Sequence, residues 1–291
     1  MLWKPLLWRL LLLTSLTGTF SPLQKAVAAS CVWKVTGPNG GTLYLGGSVH
    51  VLRPTDYPLP AAYNYAFDAS TRLVFEMDPK DLRRAAKGMV KAGEYPKQDS
   101  LKNHVDRRTY DYLRRFFALL PVAEDKFSRY RPWFLAMLLE SMALHEFSRQ
   151  LGVESFLERR AAANLKPVSG LESLRETVER YSKLSDRQSE ALLLLTFIPA
   201  QSGANQSSGM LEAWRRGDVD ALAQAGQDAY RDFPSLRERI VTARNRNWLP
   251  KLESFLHGRE TCFVVVGAGH VGGAEGLLSI LRARGYRIEQ L

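Results

Sequence analysis

Three apolar runs in this 291-residue chain end on side chains that can hold a metal ion or move a proton. "TLYLGGSVH" ends in His50, "RLVFEMD" presents Glu76, and "CFVVVGAGH" ends in His270. In an open α/β sheet, ligands bind in the crevice beyond the carboxyl ends of the strands, and glycine turns there let backbone and side chains approach closely. Two imidazoles and a carboxylate at such an edge give a divalent ion nitrogen and oxygen donors and leave positions open for water, the arrangement that metal-assisted hydrolysis needs. Each residue also has a plainer role. His50 can hydrogen-bond a turn carbonyl, Glu76 can pair with an arginine, and Asp78 can cap a helix.

Other chemistries fit less well. "HEFSR" begins like a zinc-protease H-E-x-x-H, but Arg149 stands where the second histidine belongs. Ser48 lies in "GGSVH", which lacks the second glycine of a G-x-S-x-G elbow, so a serine hydrolase is not supported. His104 and His257 lie in polar sequence and read as solvated. Gly267, Gly269 and Gly272 match the dinucleotide pattern G-x-G-x-x-G, and Glu289 lies near the offset of a ribose-binding acid. A dinucleotide-binding protein is therefore a third reading. Against it, the chain stops at Leu291, leaving no room for the second half of such a fold.

The elements that must position these residues follow from hydrophobic period and turn chemistry. "VWKVT", "GPNGG" and "TLYLGGSV" read as a hairpin, and Asn39-Gly40 favours a tight turn. After "RLVFEMD", Asp78 and Pro79 open a helix as N-cap and first residue. Residues from about 100 to 160 and from 171 to 258 carry apolar positions three and four apart, with a short strand expected near 165–169. "CFVVV" and "YRIEQ" return the chain to β. The expected fold is α/β: a central mixed sheet built from the N- and C-terminal segments, with a large helical insertion over about 80–258.

The first residues bear on compartment. Lys4 and Arg9, an apolar run from Leu10 to Leu16 and the small stretch Ala26–Ala29 have the layout of a secretory signal peptide. The run is well short of the roughly 20 residues that span a bilayer, so the mature chain is expected to have no transmembrane span. The expected organisation is a leader over 1–29 and one domain over 30–291, periplasmic or secreted, with a lipoprotein anchored through Cys31 as the alternative. The formal charge is +10, or +7 without the leader's Lys4, Arg9 and Lys25, and the basic residues are scattered. Such a surface argues against nucleic acid and allows an acidic glycan or envelope component as partner. Cys31 and Cys262 each begin a β-type run; in an oxidising compartment they are expected to form one bridge, two buried thiols being the alternative.

An ordered set of motifs runs through nearly the whole mature chain: "WKVTGPNGGTLYLGGSVHVL", "LVFEMD", "GVESFLERRAAANLKPVSGLES", "ARNRNW" and "VVVGAGHVGGAEGLLSILRARGY". With two G-x-x-H loops, Gly47 to His50 and Gly267 to His270, the set resembles the TraB/GumN family, which includes TIKI-type metalloproteases and is similar to erythromycin-esterase and ChaN-like proteins. The resemblance implies a divalent metal (manganese, cobalt or zinc) on His50, Glu76 and His270, with Glu76 as ligand or general base. It implies Arg244 as an oxyanion or carboxylate holder, and Ser48 and Asn245 as substrate contacts. The function implied is an exported metal-dependent hydrolase acting on a peptide or protein. The alternative is a non-catalytic binding or accessory protein on the same scaffold, linked to surface polysaccharide.

Overall fold

A computed structural model describes residues 29–291 except 121, 143–147 and 198–203. The expected leader and the "HEFSR" histidine, His145, thus lie outside the described residues. The predicted hairpin forms from β1 (Val32–Thr36) and β2 (Thr42–Ser48), with Gly40 at φ 82° in the turn. β3 (Arg72–Met77), β4 (Val168–Glu172), β5 (Cys262–Gly267) and β6 (Arg287–Gln290) complete one six-stranded sheet in the order β4-β3-β5-β2-β1-β6.

β4, β3, β5 and β2 run parallel, whereas β1 is antiparallel to both β2 and β6. The sheet is mixed, as expected, and draws on both ends of the chain. The strand expected near 165–169 forms slightly later and joins the sheet as its edge, so the middle section is not wholly helical. β5 is buried over Cys262–Val266, which suits a central parallel strand covered on both faces. A side chain at Gly46 would enter the ring of Phe263, so the missing Cβ is what lets β2 and the aromatic pack.

The parallel strands set the location of the site, because their carboxyl ends share one edge. His50 follows β2, Glu76 lies near the end of β3, Glu172 closes β4, and His270 sits in the short 3-10 turn Ala268–His270 after β5. The helix Val153–Ala163 is brought to this edge by a close backbone approach. Val153 N–H bonds Val49 O (3.1 Å), and a Cβ on Gly152 would meet the carbonyl oxygen of His50 at 2.2 Å. That contact requires glycine and places Glu154, in the helix's first turn, beside His50. The helices Pro132–Met142, Leu174–Ser182 and Asp186–Leu195 form the opposite wall of the crevice. Among the described residues, no helix is long and apolar enough to cross a membrane.

One expectation is corrected by topology. Cys31 and Cys262 are free buried thiols rather than a bridge. Cys262 pairs with Leu43 at one end of β2, while the carbonyl of Cys31 accepts from Gly47 N–H at the other, a separation of four residues or roughly 13 Å. A disulfide needs Cα atoms within about 7 Å. Burial also pushes the thiol pKa of Cys31 and Cys262 up, which disfavours the thiolate form. The dinucleotide reading loses its acid as well. Glu289 pairs with Lys34 on the far edge strand β6, with β2 and β1 between it and the glycine turn after β5.

Candidate functional site

His50, Glu76 and His270 line one cleft of about 340 Å³, together with Arg180 and Arg244. They converge on Gly267. A Cβ built there would lie 3.3 Å from Glu76 Oε1, 3.7 Å from His270 Cδ2 and 3.9 Å from His50 Nε2. Gly267 N–H donates to Glu76 Oε1 at 2.7 Å, so the backbone of the second G-x-x-H loop holds the carboxylate.

Both imidazoles are oriented from behind. His50 Nδ1 lies 2.7 Å from Glu154 Oε1, which also accepts from Ser48 Oγ at 2.5 Å. The ring keeps its Nε2 edge toward Gly267 and is 66% exposed to the cleft. The charge of Glu154 raises the His50 pKa to about 9. His270 Nδ1 lies 2.8 Å from Asn245 Oδ1, and the Asn245 amide nitrogen donates to the carbonyls of His270 (3.2 Å) and Glu275 (2.9 Å). On the other side, Arg244 Nη1 lies 3.0 Å from His270 Nε2. A guanidinium can only donate, so Nε2 accepts and Nδ1 carries the proton. Burial, reinforced by Arg244, Arg180 and His50, lowers the His270 pKa to about 3 and keeps the ring neutral.

Arg244 is the hub of the charge network. Its Nε donates to Glu172 Oε1 (2.8 Å) and its Nη2 to Glu172 Oε2 (3.2 Å) and to Glu76 Oε2. Its guanidinium lies 4.5 Å over the ring of Trp248, whose Nε1 donates to Glu172 Oε1 at 3.0 Å. Arg180 pairs with the other oxygen of Glu172, and burial lowers its own pKa to about 10. Burial works to raise the Glu76 pKa, but Arg244, the two histidines and the Gly267 N–H outweigh it and hold the carboxyl well below its usual range. An acid so depressed is a poor general base and a good anionic ligand.

The sequence-predicted residues divide by role. His50, Glu76, His270 and Arg244 come together. Ser48 and Asn245, expected to contact substrate, are only 3% and 1% exposed and spend their polar groups on Glu154 and on the His270 loop. They support the two histidines instead. Glu154, Glu172 and Arg180 were not singled out from the sequence. Glu172 was within reach, because it closes an apolar strand just as Glu76 does, in "PVSGLE". Glu154 and Arg180 lie on helices with no local mark of their neighbours.

The site can be tested against a divalent ion on its donors. The three groups are of the right type, both imidazoles are tied through Nδ1 so that Nε2 is the coordinating edge, and the ties to Glu154 and Asn245 are the kind that orient metal-ligating histidines. Among the described residues, no three such donors stand together at bonding distance. Arg244 holds Glu76 and His270, and an ion on His270 Nε2 requires that hydrogen bond to break. The donor types suit an ion, but as they stand among the described residues they form no metal-holding group, and Arg244 occupies two of them.

The chain is 23% identical to a "Metalloprotease TIKI homolog" of Amphimedon queenslandica over 335 aligned residues, covering 96% of this chain and 65% of the relative. It is 22% identical to "Metalloprotease TIKI2" of Danio rerio, covering 92% of this chain and 62% of that protein. It therefore spans less than two thirds of the length of either relative. No solved structure matches the chain. The profile of the TraB/PrgY/gumN family matches residues 31–290, from the start of β1 to the end of β6, and the chain belongs to that family.

Proposed function

We propose that this chain is an exported, divalent-metal-dependent hydrolase that cleaves peptide bonds in the cleft at the carboxyl ends of β2, β3 and β5. The observation that carries the reading is the convergence of His50, Glu76 and His270 on Gly267, each imidazole tied back through Nδ1. The two similar metalloproteases support the reaction class and the leader-like first residues support export. His50, Glu76 and His270 would hold the ion; when bound it supplies Lewis acidity toward water and a scissile carbonyl.

The chain's own residues do the rest. His50, whose pKa the charge of Glu154 raises, would have to lose its Nε2 proton before that nitrogen could hold a cation. Glu154 keeps the ring in place while this happens. Arg244, fixed to Glu172 through Nε, donates from its Nη groups to His270 and Glu76, so it would meet a developing oxyanion by releasing one of those partners.

The test is calorimetric titration of the chain with manganese, cobalt and zinc, followed by hydrolysis of a peptide library. His270→Ala is expected to lower metal affinity by at least about tenfold, the scale of losing one ligand's worth of binding, while circular dichroism remains native. Unchanged affinity in that variant removes the site assignment. A folded protein that binds no metal and cleaves nothing identifies the non-catalytic accessory role instead.

A further inference from the structure

A cation already sits between two of the three candidate ligands, and it is a side chain. Arg244 Nη1 donates to His270 Nε2 at 3.0 Å, and Nη2 donates to Glu76. At His270 the exclusion is strict. A neutral imidazole has one acceptor nitrogen, and with Nδ1 turned to Asn245 Oδ1 that acceptor is the Nε2 which Arg244 holds. An ion and the Nη end of Arg244 therefore cannot use this nitrogen together. Charge works in the same direction. Arg180 and Arg244 bring two positive charges to Glu172 and Glu76, which carry two negative ones, so a divalent ion enters a set that is already balanced. Repulsion between an ion and a buried guanidinium at this range is weakly screened.

The rest of the arginine is anchored independently of the candidate ligands. Nε and Nη2 donate to the two oxygens of Glu172 at 2.8 and 3.2 Å, and the guanidinium lies 4.5 Å over the ring of Trp248. Released from Glu76 and His270, Arg244 keeps a charged partner and an aromatic face, so its displacement breaks two contacts without leaving the charge unpaired.

We infer that Arg244 is an internal competitor that sets the cation affinity of this cleft: a divalent ion binds only as the Nη end leaves Glu76 and His270, with Glu172 retaining the guanidinium. The inference rests on the proposed metal site for its ligand and on these hydrogen bonds for its direction. An arginine that only completed the site or oriented a substrate would, on removal, leave cation affinity unchanged or lower it.

Manganese chloride is titrated by calorimetry into the full chain and into Arg244→Met, with circular dichroism as the check of fold. Methionine is apolar and donates nothing, while Glu172 keeps Arg180 and Trp248 Nε1 as partners. The variant is expected to bind manganese about tenfold or more tighter, the scale of one hydrogen bond to a charged group. Nuclear magnetic resonance of the native chain gives a reading that needs no variant. Zinc, which is diamagnetic, is expected to free the Nη groups, seen as faster rotation about their bonds to Cζ, while the Nε proton remains slow to exchange on Glu172. Manganese bound no tighter by a folded Arg244→Met chain, or Nη groups that stay fixed in the zinc-loaded native chain, overturns the inference and leaves the metal site standing. Absence of binding to every folded chain overturns both. Tighter binding by the variant, beside a metal-loaded native chain that cleaves no peptide, upholds the inference and removes the hydrolase reading.

Discussion

His50 and His270 face the same point and have opposite electrostatics. Glu154 makes His50 easier to protonate, while burial against Arg244 makes His270 harder to protonate. The consequence for His270 can be measured as acid stability. Its pKa is about 3 in the folded chain and near 6.5 unfolded, so between those values the unfolded state binds more protons. Stability is then fully present above about pH 6.5 and is lost as pH falls toward 3. His270→Gln, which cannot titrate, is expected to flatten that part of a denaturant-midpoint profile. Parallel profiles for the two proteins would falsify the buried neutral assignment.

Among the elements, the turn after β5 shows most clearly how a motif can mislead. Its glycines match a phosphate fingerprint, yet among them Gly272 is the one pressed against packed backbone. A Cβ on Gly272 would sit 2.3 Å from the carbonyl oxygen of Val219, at the start of helix Val219–Ala229, whereas one on Gly269 would meet nothing within 4 Å. Gly272→Ala is therefore expected to lower unfolding free energy by about 1–3 kcal/mol, the range for overpacking a tight contact. Gly269→Ala should stay within about 0.5 kcal/mol, as for an open surface position. Equal effects in chemical denaturation would show that the turn is not held by the Gly272 contact. The parallel pairing of β2 with β5 likewise carries Cys31 and Cys262 to opposite ends of one strand.

At the scale of the molecule, the apolar core is divided. One cluster surrounds the sheet, with Leu43, Leu45, Leu73, Phe263 and Trp248 among its buried members. A second, with Leu101, Leu113, Phe117, Leu135 and Leu193, lies within the helical section, and a small third joins Met89, Trp133 and Phe134. The cleft lies between the sheet edge and these helices, drawing Glu76 from one side and Leu192 and Met137 from the other. Separate clusters permit separate opening. In native-state hydrogen exchange, β2, β3 and β5 amides are expected to exchange only through global unfolding, and those of helices Arg107–Leu119 and Asp186–Leu195 at lower free energy. A single exchange free energy for both sets would show one cooperative unit and remove the helical wall as a mobile side of the site.

What the sequence by itself determined is local. Alternation and apolar runs located the hairpin, β3 and β5, Asp78 and Pro79 marked a helix start, and the strand ends named His50, Glu76 and His270. These readings hold because backbone period, capping and turn chemistry act within a few residues. The tertiary structure alone decided which groups meet. Glu154 lies 104 positions beyond His50, and Arg244 lies 72 beyond Glu172, so only the crossing of strand and helix reveals that one aims an imidazole and the other anchors a guanidinium. The same holds for the expected bridge: two cysteines opening two strands look equivalent in sequence, but strand direction separates them by the length of β2. Distance along a chain carries no sign of direction in space, and charge, register and burial at the site all depend on that direction.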